Sequence, residues 1–293
     1  MPSTSDRQRA LALISLDHGW SNLKIGRTVT DQASTLIGAS GQAHRTPLET
    51  GIKSLAEQVE ADGHQRAERG LELAYHNREH IRDVLVALKL LVEASDKHLS
   101  QADVQVTALA MVGHDLGHDG LPNRSLRELE IQSWKMVHAL LKPLALGRQT
   151  LMRIRTLILM TDPSGYPGLA QRQRRSALSS QMALAVDADV FASLLPSRGF
   201  SLGASLADEQ VRAGIPQAKT LATLQGRAGF LKFVPLLSDA IRALGMHSLI
   251  EAQLSVIHQL SETDRMRPWT PSWGDEFIGR VQDHLTRDID GED

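Results

Sequence analysis

The chain has 293 residues, with no cysteine, 12 histidines and 32 basic against 34 acidic side chains. The lack of thiols excludes disulfide scaffolds, Cys-ligated zinc, iron–sulfur clusters and a cysteine nucleophile, so any metal ligand must be His, Asp or Glu. A formal net charge of −2 at pH 7 provides no global attraction to nucleic acid or to an anionic membrane, and we expect neither as a partner.

Composition and length are typical of a globular protein. The chain is 42% hydrophobic and 23% charged, which favours one large soluble domain or at most two. No stretch reaches the roughly 20 apolar residues that a membrane-spanning helix needs, so we expect a cytoplasmic protein. The sequence leaves the number of subunits open.

Residues 1–60 are more polar and less periodic than the rest of the chain. The apolar run 10–16 follows two arginines, as in a signal peptide, but it ends without a small-residue cleavage site and therefore predicts the first helix. We expect 1–60 to form an N-terminal helical cap or extension on a catalytic domain at 61–293.

Farther along, apolar residues recur at steps of three and four, the spacing of one helix face. The clearest stretch is 81–92, and the same pattern predicts helices at 103–114, 148–161, 178–195, 229–244 and 246–261. Two-residue alternation typical of strands is absent from the sequence, so we predict a compact, multi-helix, all-α fold. The basic segment Arg172–Arg175 follows a Pro/Gly-rich loop and is expected to be a solvated surface.

The first chemically distinctive stretch is Ala74–His80, with the sequence AYHNREH. His76 and His80 lie four residues apart at the start of a predicted helix, which would place both on one face. Because neutral imidazole binds zinc and similar ions, the pair predicts either two metal ligands or one ligand and one proton donor.

A second stretch, Met111–Asn123, begins as the end of a hydrophobic helix and then presents His114, Asp115, His118 and Asp119. Burying so many ionisable groups is costly unless a cation or a dense hydrogen-bond network compensates for it. A metal centre explains the pattern, and a carboxylate such as Asp115 can bridge two ions.

A further acidic ligand is expected from the apolar helix around 181–191. This helix contains Asp187 and Asp189 among apolar residues, so it has no clear polar face that would be exposed to solvent. Residues two apart point to different sides of a helix, so we expect one of them to face the metal. Asp189 is the first choice and Asp187 the alternative.

Together these stretches resemble the consecutive signature motifs of the class I cyclic nucleotide phosphodiesterases, which belong to the HD-domain metal-dependent phosphohydrolases. The matching stretches, in chain order, are Tyr75–His80, His114–Asn123, Ile158–Asp162, Ala188–Val190 and Ala228–Leu236. The resemblance implies an all-α catalytic domain that hydrolyses 3′,5′-cyclic nucleotides, cAMP or cGMP, to 5′-monophosphates.

The resemblance also implies two divalent metal ions as cofactors. His80, His114, Asp115 and Asp189 would bind a zinc-like ion, and Asp115 would bridge to a second ion, magnesium or manganese. His76 would donate the proton to the leaving oxygen. The ions would activate a water that attacks phosphorus.

Other matching positions imply roles around the substrate. His118, the second catalytic candidate, and Asp162 match polar residues around the water shell, and Phe230 matches an aromatic residue that stacks on the purine. Tyr75 and Asp162 are expected at the substrate. Residues expected to support the ligands from behind are Asn77, Asn123 and Glu128.

The chain departs from the family pattern where the purine is read. Arg227 stands at the position of the family's glutamine, although Gln225 is close enough for a small gap to restore it. An arginine there could donate to base acceptors or recognise an extra phosphate or carboxylate. Asp119 replaces the usual proline of the second motif.

The leading hypothesis is therefore hydrolysis of a small-molecule cyclic nucleotide. The first alternative keeps the metal site but gives it another phosphate ester, such as a nucleoside monophosphate or a different phosphodiester, which Arg227 favours. The second alternative is a non-catalytic regulator that binds a ligand on a retained metal scaffold.

Overall fold

The computed structural model describes residues 3–37, 46–175 and 178–290, without the side chains of 288–290. Within these ranges the chain is helical and contains no strand, which confirms the all-α prediction. The α-helices are α1 (Thr4–Gly19), α2 (Val29–Ile37), α3 (Pro47–Glu68), α4 (Arg78–Glu93), α5 (Gln101–Gly113), α6 (Glu128–Leu141), α7 (Arg148–Leu159), α8 (Tyr166–Arg174), α9 (Ser180–Leu194), α10 (Pro196–Arg212), α11 (Leu224–Phe233), α12 (Asp239–Ala243), α13 (Met246–Gln259), α14 (Glu262–Met266) and α15 (Pro271–Asp290).

Helices α4, α5 and α9 form the centre of the molecule and pack against one another. Helix α5 is buried along the whole of Val104–Gly113, and α9 is buried along most of Ala183–Leu194. Helices that are apolar on all sides belong in an interior. The two strongest apolar runs of the sequence therefore become the core helices, and their polar ends lie at one site.

The N-terminal segment packs into the same core. Trp20 is buried, stacks on Phe191 of α9 with ring centroids 5.8 Å apart, and donates a hydrogen bond to Asp83 of α4. Helix α3 continues without a break across residues 60 and 61, so the expected boundary at this point falls inside a helix. Residues 1–2 and 38–45 of the proposed cap lie outside the described part of the chain.

A buried ionic network holds α4 in position. Asp83 is fully buried and accepts hydrogen bonds from Trp20, Lys24 and, on α10, Arg198. Shared donors of this kind compensate for the cost of burying a carboxylate. Because Asp83 lies one turn after His80, the network also fixes the helix that carries a candidate ligand.

The predicted helix at 229–244 was wrong in one respect, because it is interrupted. Helix α11 ends at Phe233, and α12 begins only at Asp239. Pro235 cannot donate a backbone hydrogen bond, and the backbone N–H groups of Leu237 and Ser238 donate instead to the buried Asp187 of α9. A long-range carboxylate thus competes with continuation of the helix.

The remaining organisational expectations concern the surface. The side chains of Arg172, Arg174 and Arg175, at the end of α8, are exposed, as expected for a solvated segment. Among the described residues, no helix is both long and apolar enough to cross a membrane.

Candidate metal centre

The start of α4 places the first histidine ligand. Asn77 is the N-cap residue, and its side-chain oxygen accepts hydrogen bonds from the backbone N–H groups of Glu79 and His80. Its amide nitrogen donates to the carbonyls of Leu73 and Ala74. Asparagine is among the preferred N-cap residues because it satisfies otherwise unpaired amides. Asn77 therefore anchors the loop and orients His80, which is 3% exposed.

His76 does not lie on the same helix face as His80, contrary to the prediction. It precedes α4 by two residues, and the two imidazole rings are nearly perpendicular, with centroids 6.2 Å apart. The loop conformation before the N-cap separates the two residues. His80 points into the interior, whereas the side chain of His76 keeps 19% of its surface exposed.

The second motif forms the end of α5 and the turn that follows it. His114 is the C-cap residue, and its Nδ1 lies 2.8 Å from the carbonyl oxygen of Met111, so Nε2 faces the site. Gly117 has a φ of +80°, a conformation that glycine adopts without strain. The turn at this glycine brings His118 beside His76.

Helix α9 supplies Asp189 and not Asp187. Asp187 is fully buried on the opposite side of the helix, where both of its oxygens accept backbone hydrogen bonds from the segment after α11. Asp189 faces His80 and His114, with its Oδ1 3.1 Å and 3.2 Å from their respective Nε2 atoms. The two-residue spacing thus separates a structural carboxylate from one that faces the histidines.

His80, His114 and Asp189 each bring one ligand atom within 4.8 Å of the others, and Asp115 lies beside the two histidines. The Nε2 atoms of His80 and His114 are 3.4 Å apart, and Asp115 Oδ2 lies 3.4 Å and 3.2 Å from these same atoms. Ligands that coordinate one zinc-like ion at about 2.0–2.1 Å lie roughly 3.0–3.4 Å from their neighbours. The measured separations fit this requirement.

Asp115 provides an independent test of the fit. Its Oδ2 atom is buried and accepts no hydrogen bond from any residue that the structure describes. A buried carboxylate oxygen without a hydrogen bond is expensive, even with the two imidazole nitrogens 3.4 Å and 3.2 Å away, and a coordinated cation would compensate for it. The site offers nitrogen and oxygen ligand atoms and no thiolate. Imidazole nitrogen suits zinc, and carboxylate oxygen suits manganese and magnesium.

The electrostatics of the group favour positive charge. Burial alone would raise the pKa of Asp189, but the adjacent His114 and His80 reverse this effect and lower it to about 2. Burial alone would lower the pKa of His114, but the charges on Asp115 and Asp189 raise it to about 9. Without a cation, protons on the histidines therefore balance the two ionised carboxylates at neutral pH. A divalent cation would replace these protons when it binds.

A second polar group lies beside the four candidate ligands. Glu209 of α10 is 4% exposed, and its Oε1 forms a short hydrogen bond with Nδ1 of His76. Its Oε2 accepts hydrogen bonds from the backbone N–H groups of Tyr75 and His76 at 2.8 Å and 3.1 Å. This contact fixes the imidazole and leaves Nε2 for another partner.

His118 stacks on His76, with centroids 3.6 Å apart and an interplanar angle of 15°. The nitrogen lone pairs of two parallel rings lie in separate planes and do not point at one ion. These two histidines and Glu209 are therefore better suited to transferring a proton than to binding a metal. Burial and the neighbouring His76 lower the pKa of His118 to about 4. His118 is therefore neutral at pH 7, with Nδ1 accepting a hydrogen bond from the Gly120 amide.

A cavity of about 420 Å³ opens over these groups. Its lining includes the candidate ligands His80, Asp115 and Asp189 together with His76, and an aromatic wall formed by Phe230 and Phe233. A volume of this order accommodates a small organic ligand. The site thus combines candidate cation ligands with an aromatic wall.

The other predicted substrate residues divide between the cavity and the interior. Phe230 and Tyr75 line the cavity, and the Tyr75 hydroxyl lies 3.3 Å from Ser193. Asp162 also lines it but is committed to the backbone of Arg127 and to Ser164.

Arg227 and Gln225 do not occupy the positions expected of base-reading residues. The Arg227 guanidinium is buried and donates to the carbonyls of Ser193, Leu194 and Leu195 and to the Gln253 side chain. Burial lowers the pKa of Arg227 to about 9, so the group stays charged at neutral pH and needs these acceptors. Gln225 is exposed on α11 and does not line the cavity. The expectation that either residue reads a base is therefore not supported.

Glu130, and not the expected Glu128, lies at the cavity. Glu128 is exposed, whereas Glu130 is buried, lines the cavity and accepts two hydrogen bonds from Asn123. Asn123 also accepts a hydrogen bond from the Leu129 amide. In the first turn of α6, a two-residue shift moves the carboxylate from the solvent side to the cavity side.

Sequence reasoning missed Glu209 and Tyr166. Tyr166, at the start of α8, is 2% exposed and lines the cavity; burial, together with the charge on Asp189, raises its pKa well above the ordinary value. Glu209 lies on an otherwise ordinary amphipathic helix, in the sequence LADEQVR. The sequence does not show that this acid is buried while its neighbours are exposed, so it does not identify Glu209 as the partner of His76.

Comparisons with known proteins do not assign the chain to a family. No family model and no curated protein matches it. Among solved structures it is similar to that of LmjPDEB1, a Leishmania class I phosphodiesterase, in complex with IBMX. The sequence identity is 14% over 99% of each chain, and the TM-score is 0.40. The function therefore has to be inferred from the site itself.

Proposed function

We propose that this chain is a metal-dependent phosphohydrolase that converts a 3′,5′-cyclic nucleotide to the 5′-monophosphate. The observation that carries the proposal is the cluster of His80, His114, Asp115 and Asp189 beside a ligand-sized cavity that three of them line. The cofactors we propose are a zinc-like ion on these residues and a second ion, magnesium or manganese. The proposed partner is a small nucleotide, in a cytoplasmic protein without nucleic-acid or membrane partners.

Divalent ions at such a site supply two effects: they lower the pKa of water toward neutrality, and they neutralise phosphoryl oxygens. The chain's own contribution is to present two carboxylates and two imidazoles already oriented, so little reorganisation is needed when a cation binds. Asp115 has its second oxygen available in addition to Oδ2, which suits it to contact both ions.

The proton needed by the leaving oxygen comes from His76 in this proposal. Glu209 holds His76 through Nδ1, so Nε2 is left to deliver the proton toward the cavity. General-acid catalysis of this kind contributes roughly 10²- to 10⁴-fold. Stacked on the other face, the neutral His118 limits rotation of the ring.

The aromatic wall supports a flat substrate. Phe230 offers a ring face for a purine, and ring stacking of this type contributes about 0.5–1.5 kcal/mol beyond the burial of apolar area. Leu206 and Val190 line the same cavity and exclude water around the base.

The direct test is a product assay on the purified chain with cAMP and cGMP, in added Mn²⁺ or Mg²⁺ and again after chelation. The proposal predicts metal-dependent release of the 5′-monophosphate. An Asp115→Ala variant serves as the blank, because it removes a ligand without touching His76. Absence of product from metal-loaded wild-type protein would contradict the cyclic-nucleotide assignment.

A second candidate function retains the metal site but acts on another phosphate ester. The observation that favours it is the lack of a base-reading amide at the expected place, since Arg227 is committed to the interior and Gln225 is exposed. Release of inorganic phosphate from nucleoside monophosphates, with no turnover of cyclic nucleotides, would select this alternative.

A further inference from the structure

Tyr166 presents an unusual hydroxyl to the active-site cavity. The residue begins α8, immediately after the turn at Asp162, and its side chain is 2% exposed. Its ring packs against Phe233 with centroids 5.7 Å apart, and the residue lines the cavity together with Asp162 and Asp189. The phenol is thus held in place by packing on one side and borders the cavity on the other.

The hydroxyl has no hydrogen-bond partner among the residues that the structure describes. Other hydroxyls around the cavity are engaged: Thr161 donates to the Ile158 carbonyl, Ser164 donates to Asp162, and Tyr75 meets Ser193. The Tyr166 oxygen is not among the fully buried, unpartnered side-chain atoms of the described residues, so it reaches the cavity that the residue lines. The hydroxyl is therefore placed to meet a ligand in that cavity.

The chemistry around the hydroxyl restricts its ligand. A phenol at neutral pH is a good hydrogen-bond donor, and Tyr166 lines the cavity together with the candidate ligand Asp189. A negatively charged ligand in this cavity would present strong acceptors. Phosphoryl oxygens are such acceptors, and neutral donors to them add recognition without adding charge.

We propose that the Tyr166 hydroxyl donates a hydrogen bond to a non-bridging phosphoryl oxygen of the bound substrate. The proposal rests on the proposed phosphohydrolase function and adds a substrate-binding residue that lies outside the histidine and aspartate motifs. Because the bond forms to an anionic acceptor, its loss weakens phosphoryl binding by about 10-fold or more.

The test uses the full-length, Mn²⁺-loaded protein and its Tyr166→Phe variant, which removes only the oxygen atom. Three quantities are measured: kcat/KM for cAMP, cGMP and bis(4-nitrophenyl) phosphate, the dissociation constant of inorganic phosphate by calorimetry, and the melting temperature. Tyr75→Phe is the matched variant, because the chain has two tyrosines and the Tyr75 hydroxyl has a protein partner.

The expected result is a loss of about 10-fold or more in kcat/KM and in phosphate affinity for Tyr166→Phe, with unchanged metal content and an equal or higher melting temperature. Tyr75→Phe should lower the melting temperature, because it removes the hydroxyl that meets Ser193. Unchanged kcat/KM and phosphate affinity would overturn the proposal, and so would a loss of activity that parallels a loss of stability.

Failure of the proposed function is distinguishable from failure of this inference. If the wild-type protein hydrolyses no phosphodiester, the phosphohydrolase proposal fails, and the phosphate affinities of the two proteins then decide the role of Tyr166. A wild-type protein that does not bind phosphate either would overturn both.

Discussion

Replacing Glu209 with Gln separates the role of this residue from that of the metal ligands. The carboxylate accepts three hydrogen bonds, from the backbone N–H groups of Tyr75 and His76 and from His76 Nδ1. An amide keeps one acceptor oxygen but places an NH₂ group against at least one donor. Since a hydrogen bond to a charged group contributes about 1.5–3 kcal/mol, we expect the free energy of unfolding to fall by about 2–3 kcal/mol.

The same substitution should lower turnover without removing metal. Glu209 contacts none of the four candidate ligands, so metal content should match that of the wild-type protein. With His76 no longer held through Nδ1, kcat for cAMP or cGMP should fall by about 10-fold or more. Urea unfolding, elemental analysis and a product assay measure the three quantities.

The pH dependence provides a further check on Glu209. Burial opposes ionisation, but the hydrogen bonds from His76 reverse this and hold the pKa of Glu209 below its ordinary value of 4.5. A depressed pKa stabilises the fold above pH 4.5, and this stabilisation is lost as the pH falls through the folded-state pKa. The stability difference between the two proteins should therefore shrink in that acidic range.

Asp208→Asn is the matched control. Asp208 is the neighbouring acid on α10, its side chain is 47% exposed, and it pairs with Arg212 on the surface. Its replacement should change stability by less than about 0.5 kcal/mol. If Glu209→Gln behaves like this control in both stability and turnover, the assignment of Glu209 as the residue that positions His76 is wrong.

Three other predictions follow from the site. Asp115→Ala should lose bound metal and activity together, and elemental analysis that finds full metal content would refute the ligand assignment. In chelated protein, the pKa of His118 is lowered to about 4 from 6.5, so the unfolded chain takes up a proton before the folded one. The free energy of unfolding should therefore fall by up to roughly 3 kcal/mol between pH 6.5 and 4. His118→Gln should flatten this pH dependence, measured by urea unfolding. Arg227→Leu should lower the free energy of unfolding by about 3–5 kcal/mol, because it strands several buried acceptors. If Arg227→Leu instead keeps its stability and changes the preference between cAMP and cGMP, the conclusion that Arg227 does not read the base is wrong.

The sequence by itself determined the all-α class and pointed to three of the four clustered candidate ligands. Regular apolar spacing predicts helices because each helix must bury one face, and α5 and α9 were recognisable as strongly apolar stretches. His80, His114 and Asp115 were recognisable because ionisable residues next to or within such stretches need compensation. These are local properties, which a linear sequence contains.

The tertiary structure alone decided how distant residues pair. The apolar pattern around Asp187 and Asp189 does not distinguish the two residues. Only the hydrogen bonds from the backbone N–H groups of Leu237 and Ser238 show that Asp187 has a structural role. Glu209 becomes the partner of His76 because α10 packs beside the loop before α4, more than 130 residues away in the chain. Local spacing contains no information on such contacts, because the packing of separate helices creates them.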